Sequence, residues 1–112
     1  MNDLIIDATT NKIFLTIIKD TKNIYTSKFE NSKNNFDKFI ILIDDLLNKN
    51  KLTIKDLNRI YVNRGPGSFA GIRNSLSIAK GIHVAENVDY FCFSFLDFIK
   101  LGNSIKKKII KD

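Results

Sequence analysis

Apolar residues along this chain recur with two different periods, and the changes of period mark out its elements. Leu4 to Ala8 is a short apolar run with a β-branched centre, and Ile13 to Ile18 is another; both read as strands with two covered faces. Asp7-Ala8-Thr9-Thr10-Asn11 turns the chain between them. After the turn chemistry of Lys19 to Asn23, residues Ile24 to Phe29 alternate with more polar positions, and Lys28 there suits an edge strand. Asn34 or Ser32 then offers an N-cap for a helix over Phe36 to Lys49. Its apolar residues Phe36, Phe39, Ile40, Leu42, Ile43, Leu46 and Leu47 spread over roughly 160° of the helical wheel, with Ile41 outside that arc. So wide an arc suits either a helix well covered by its own fold or one that touches its own sheet and a second body.

Thr53 and Asp56 form a capping pair for one short turn, Ile54 to Leu57. Arg59 to Asn63 is a strand, followed by Arg64-Gly65-Pro66-Gly67-Ser68-Phe69-Ala70-Gly71 and a helix through Ala85. Ser68 can cap that helix. Its small residues form two rows, Gly71, Ser75, Ala79 and Ser77, Gly81, Ala85, with Ile72, Leu76, Ile78 and Ile82 between them, so two neighbours can approach closely. Val88 to Phe95 is the last strand, with Phe91, Phe93 and Phe95 on one face and Tyr90 and Cys92 on the other. A Ser94/Asp97 box precedes a turn over Leu96 to Leu101, Gly102-Asn103 stops it, and Ser104 to Asp112 is a lysine-rich tail. The order β-β-β-α-β-α-β predicts an α/β fold in which an antiparallel meander leads into parallel strands joined by helices.

At 112 residues, 44% hydrophobic and 27% charged, the chain has the composition of one ordinary globular domain. Its 18 Lys+Arg against 12 Asp+Glu give a net charge of +6, which favours anionic partners, but a solvated lysine surface is the better account, since arginines, stacking platforms and a known RNA-binding signature are missing. A single cysteine, Cys92, excludes an internal disulfide and a thiolate cluster, and it reads as a small core residue. Acids rather than lysines follow Met1, and no apolar run approaches a membrane span, so a cytoplasmic protein with no membrane contact is expected.

Three glycines in seven residues, Gly65, Gly67 and Gly71, invite a phosphate at the helix start, with Ser68 and Arg73 beside them. The spacing is G-x-G-x-x-x-G and lacks both the dinucleotide pattern and the lysine of a P-loop. A structural turn that seats the helix against its strand is the competing reading. Arg64 to Arg73, RGPGSFAGIR, continuing NSLSIAKGI, resembles the signature of the TsaB (YeaZ) family, with Ala70 where threonine is usual. Leu4 to Thr10 and Cys92 to Leu101 extend the resemblance over nearly the whole chain.

That resemblance implies a single ribonuclease H-like lobe of the actin-like superfamily over residues 1–103, a mixed five-stranded sheet of order 3-2-1-4-5, and a basic tail over 104–112. The second lobe usual in the family is not expected in this sequence. The implied function is a noncatalytic scaffold supporting threonylcarbamoyl transfer to adenosine 37 of tRNA by a TsaD-type catalytic subunit, with a TsaE-type ATPase as a further partner and a homodimer when alone. The tRNA is then an indirect partner, and no cofactor or metal is implied. The partner interface is expected at Phe36, Phe39, Ile40, Ile43, Leu47, Gly71, Ser75, Ala79 and Ile82. Where actin-like kinases carry an Asp-x-Gly-Thr turn, Asp7 and Thr10 match but Thr9 replaces the glycine, so Asp7 and Thr10 are expected to hold the hairpin rather than a phosphate. No catalytic constellation assembles: His83 stands alone, and the adjacent Asp44 and Asp45 point about 100° apart on their helix. Two alternatives remain. One is a nucleotide-binding phosphotransferase or glycoprotease-like enzyme using the glycine loop; the other is direct tRNA binding through Lys106, Lys107, Lys108 and Lys111.

Overall fold

The computed structural model describes residues 1–95 and 97. Strands β1 (Asn2–Asp7), β2 (Lys12–Lys19) and β3 (Asn23–Glu30) form the meander. Helices α1 (Lys33–Asp37) and α2 (Phe39–Lys49), a 3-10 turn (Ile54–Asp56), β4 (Arg59–Asn63), α3 (Phe69–Glu86) and β5 (Asp89–Phe93) follow. The sheet order is β3-β2-β1-β4-β5, with β1–β2 and β2–β3 antiparallel and β1–β4 and β4–β5 parallel. This is the expected α/β architecture and strand order. The expected turn over Leu96 to Leu101, its stop at Gly102-Asn103 and the tail over 104–112 lie outside the described residues, apart from Asp97.

The expected single helix Phe36 to Lys49 is two helices. Ser32 caps α1 by accepting from Asn35 N, and the chain breaks at Lys38 (φ −115°, ψ 27°) before α2 begins. Across the break Phe36 and Phe39 sit ring to ring at 5.6 Å, Phe39 buried in the core and Phe36 half-buried against it. On the sheet, Leu4, Ile6, Ala8, Ile13, Leu15, Ile17, Ile60 and Val62 form one face, packed against Phe39, Ile43, Leu46, Leu47, Ala79 and Ile82 of the helices. The opposite residues Ile5, Phe14 and Thr16 are only half-buried, so β1 and β2 alternate rather than being covered equally on both faces. Each fully buried Leu or Ile in that layer contributes about 1.5–3 kcal/mol, which fixes α2 and α3 onto a single face.

Both ends of α3 have a local cause. Ser68 Oγ accepts from Gly71 N at 3.1 Å at the start. At the end, Asn87 takes the left-handed conformation (φ 56°) and donates its N–H to His83 O. His83 is half-buried: Nδ1 lies 2.8 Å from Val88 O and the ring meets Tyr90 edge-on. At the foot of the sheet, the neighbouring β1 and β4 bring Asp3 against Arg59, whose Nε and Nη2 each donate to one carboxylate oxygen at 3.1 Å. Burial pushes the Asp3 carboxyl above its ordinary value of 3.8, outweighing the lowering by the Arg59 hydrogen bonds and charge.

Candidate functional site

The glycine loop is filled by the chain itself. Between β1 and β2, Asp7 Oδ1 accepts from Thr9 N (3.1 Å) and Thr9 Oγ1 (2.7 Å), while Oδ2 accepts from Asn63 Nδ2 at 3.2 Å. Asn63 Oδ1 in turn accepts from Gly65 N at 3.0 Å. This closed set turns the hairpin toward the loop, and Ser68 N donates to Thr9 O at 2.7 Å. Asn31 fastens the third side, its Nδ2 reaching Ala8 O, Thr10 O and Ser68 Oγ at 3.1, 2.7 and 3.3 Å. Asp7 therefore holds the hairpin as expected, through Thr9. Thr10 Oγ1 takes the lesser part of accepting from Lys12 N at 3.3 Å.

Each loop glycine answers to a steric demand at this junction. A Cβ on Gly67 would lie 2.2 Å from Thr9 O, and one on Gly71 would lie 1.8 Å from Ala8 O. Gly65 has φ +105°, which an L side chain rarely adopts. The N–H groups of Ser68 and Gly71 are already committed to Thr9 O and Ser68 Oγ. An anion drawing on those two N–H groups would have to displace the Thr9 carbonyl and the Ser68 hydroxyl. Arg73, grouped with the loop in the sequence, is not part of it: its guanidinium lies 5.4 Å from the centre of the exposed Phe69 ring, one turn along the helix.

The residues expected to meet a partner divide sharply. Phe39, Ile43 and Leu47 on α2, and Gly71, Ser75, Ala79 and Ile82 on α3, are buried inside the chain against the sheet. With the fold intact these seven are covered by their own sheet, so the expected face is corrected. Phe36 is half-buried, and Ile40, at 39% exposure, is the one of the nine that reaches solvent freely. The sheet takes the Gly71, Ser75, Ala79 row, and the other small row, Ser77, Gly81, Ala85, faces outward. Sequence reasoning passed over Ile41, Phe69 and Val84 as surface residues, the last two 77% exposed. Ile41 had a signal, since it fell outside the apolar arc of its helix; Phe69 and Val84 had none.

Two open grooves flank α3. One, of about 370 Å3, runs between α2, the 3-10 turn and α3 and is lined by Ile40, Ile54, Ile78, Gly81, Ile82, Ala85 and Glu86. The other, of about 460 Å3, lies between α3 and β5, with Phe69, Ile72, Leu76, Tyr90 and Cys92 as its apolar lining and Arg73, Ser77 and Lys80 beside them. Cys92 is thus a surface residue rather than a core one. Among the described residues no three His, Cys, Asp or Glu side chains converge as metal ligands, and no helix is long and apolar enough to cross a membrane.

Comparison with known proteins gives this surface a context. The family described as TsaD, tRNA N6-adenosine threonylcarbamoyltransferase, matches residues 29–109, well over half of the chain. Its curated relatives carry the name tRNA threonylcarbamoyladenosine biosynthesis protein TsaB. One, from Buchnera aphidicola subsp. Schizaphis graminum, is 32% identical over 98% of this chain and 54% of its own length. The chain belongs to this family, in its TsaB (YeaZ) branch. A second TsaB, from Buchnera aphidicola subsp. Baizongia pistaciae, is 34% identical over 52% of this chain and 27% of its own length. The chain thus spans about half the length of the first of these TsaB relatives and matches the second over a shorter stretch. The solved YeaZ from Pseudomonas aeruginosa shares the fold, with a TM-score of 0.75 at 18% identity over 83% of this chain and 43% of that one. In this TsaB-branch fold the outer rows of α2 and α3 carry Ile40, Ile41 and Val84 exposed.

Proposed function

We propose that this chain is a noncatalytic scaffold in tRNA threonylcarbamoyladenosine synthesis, docking a TsaD-type catalytic subunit through the outer rows of α2 and α3. The single observation that carries the reading is the apolar groove between the two helices. There the small side chains of Gly81 and Ala85, opposite Ile40, let another helix come within packing distance. The family membership supplies the class of partner, and a TsaE-type ATPase is a further one. Without a partner the same rows pair two copies of this chain, since a self-complementary face supports a two-fold dimer. A helix partner seated in the groove would cover Ile40, which is otherwise left in water. The tRNA is then reached through the catalytic subunit.

Size-exclusion chromatography of the chain with its cognate TsaD-type subunit checks this reading. Co-elution at micromolar concentration is expected, and the pair Ile40→Glu with Ala85→Glu should weaken it by about ten-fold or more, because two carboxylates would be buried at the centre of the contact. Both positions are exposed in the monomer, so the thermal midpoint should stay within a few degrees of the parent. Wild-type chain eluting alone would defeat the proposal.

The enzyme reading finds less support, because Thr9 fills the space against Gly67 and two N–H groups at the helix start, those of Ser68 and Gly71, are engaged with Thr9 O and Ser68 Oγ. Titration calorimetry with ATP and magnesium is expected to give no saturable heat. A saturable signal lost on Gly67→Val would reinstate the nucleotide-binding alternative.

A further inference from the structure

The groove between α3 and β5 differs from the one between the helices in a way that bears on what fills it. Its walls are Phe69, Ile72 and Leu76 on α3 and Tyr90 on β5, and its charges are Arg73 and Lys80, both exposed and one on each side of Leu76 along the helix. Among the described residues no carboxylate lines it, whereas Glu86 lines the other groove. Neither Arg73 nor Lys80 forms an ion pair with a carboxylate among the described residues. The Arg73 guanidinium rests over the Phe69 ring, which holds that charge at the rim above apolar surface. An apolar floor bordered by two free cations fits an occupant with an apolar stripe flanked by carboxylates.

We propose that this groove is a second docking site, taking an acidic amphipathic helix of another polypeptide, separate from the surface between α2 and α3. Charge disfavours the two occupants closest to hand. Residues 98–112 of the chain carry five lysines and one aspartate, the same sign as the groove. A second copy meeting this face by two-fold symmetry sets Arg73 and Lys80 against their own equivalents, and like charges across an interface are unfavourable. An acidic helix instead places carboxylates beside both cations while its apolar residues cover Ile72 and Leu76, the helix-in-groove mode of recognition. A single-stranded RNA is the weaker fit, because Phe69 is, among the described residues, the one freely exposed ring beside the cations, Tyr90 being half-buried and edge-on to His83, where successive bases need a row of stacking rings.

A designed helical peptide of about 18 residues, with leucines at i, i+3, i+4 and i+7 and glutamates on both flanks, serves as the probe. Its twin carries lysines in place of the glutamates. Titrated into the isotope-labelled full chain, the acidic peptide should bind saturably and shift the amides of Phe69, Leu76, Lys80 and Cys92 while leaving Gly81 and Ala85 unmoved. The double variant Arg73→Glu, Lys80→Glu should weaken the acidic peptide by about ten-fold and turn the preference toward the lysine twin. Both side chains are exposed, so the variant folds as the parent does. No saturable binding up to about 1 mM, equal binding of the two peptides, or shifts centred on Gly81 and Ala85 would each overturn the proposal. So would a polyuridine oligonucleotide that moves the Phe69 and Lys80 amides where the acidic peptide does not. None of these readouts involves the TsaD-type subunit, so their failure leaves the scaffold reading standing.

Discussion

Gly71→Ala is expected to destabilise the chain by at least about 3 kcal/mol, at the upper end of what overpacking a well-filled site costs. The new Cβ would sit 1.8 Å from Ala8 O and 2.8 Å from Ala8 C, and both atoms belong to the backbone of the β1–β2 turn. No flexible side chain can yield there, so either α3 lifts from the sheet or the hairpin gives up the Ser68–Thr9 hydrogen bond. The intrinsic gain of alanine over glycine in a helix, about 0.5–1 kcal/mol, is too small to offset this. Gly81→Ala on the same helix is the control: its Cβ meets nothing within 4 Å, so the propensity gain should appear undiminished. Urea unfolding of the two variants beside the parent reads both signs. A Gly71→Ala protein within about 1 kcal/mol of the parent would mean that the helix is not seated on the turn as described.

Asp3→Ala is expected to cost about 3–5 kcal/mol, because it leaves the Arg59 guanidinium, itself 17% exposed, without the carboxylate that both of its bonding nitrogens face. The pair as a whole should contribute little. Burial raises the Asp3 carboxyl above 3.8 despite the arginine beside it, so removing this carboxylate from water costs more than the attraction returns. The double variant Asp3→Leu, Arg59→Met should therefore lie within about 1 kcal/mol of the parent. The raised value also fixes a sign with pH. Just above 3.8 the folded state binds the Asp3 proton more tightly than the unfolded state does. The contribution of Asp3 is therefore fullest below 3.8 and falls as pH rises through the folded value. Stability of the parent relative to the double variant, followed by urea unfolding from about pH 3 to pH 6, should decline with rising pH. A rise over that range would contradict the ordering of burial over attraction.

The elements were legible where local chemistry specifies them. Ser68 and the three loop glycines announced the strand-to-helix turn, and Lys28 marked β3 as an edge, a position the sheet order gives it. The strand order itself came from the resemblance of RGPGSFAGIR to a known signature, because alternation of strands and helices does not say which strands are neighbours. The break at Lys38 was hidden. Neither glycine nor proline occurs there to signal it. Seven of the nine residues expected to meet a partner lie instead on the rows that the sheet covers. Two small-residue rows on α3 are equivalent in sequence, and which one the sheet occupies depends on the angle at which the Gly71–Ala8 contact sets the helix down. Arg73 was misplaced for a similar reason, since nearness along the chain to Gly71 put it with the loop while the helical turn carries it around to Phe69.

The carboxamide of Asn31 shares its two hydrogens among three oxygens, from the two halves of a turn and from a helix cap. Asparagine followed by serine is a sequence prone to slow spontaneous deamidation, and Ser32 follows here. Conversion to aspartate would replace the shared donor with a negative charge facing three electron-rich atoms. Chemical ageing at this one side chain would thus loosen the hairpin at its third side and leave the Ser68 N–H bond to Thr9 O to carry the junction.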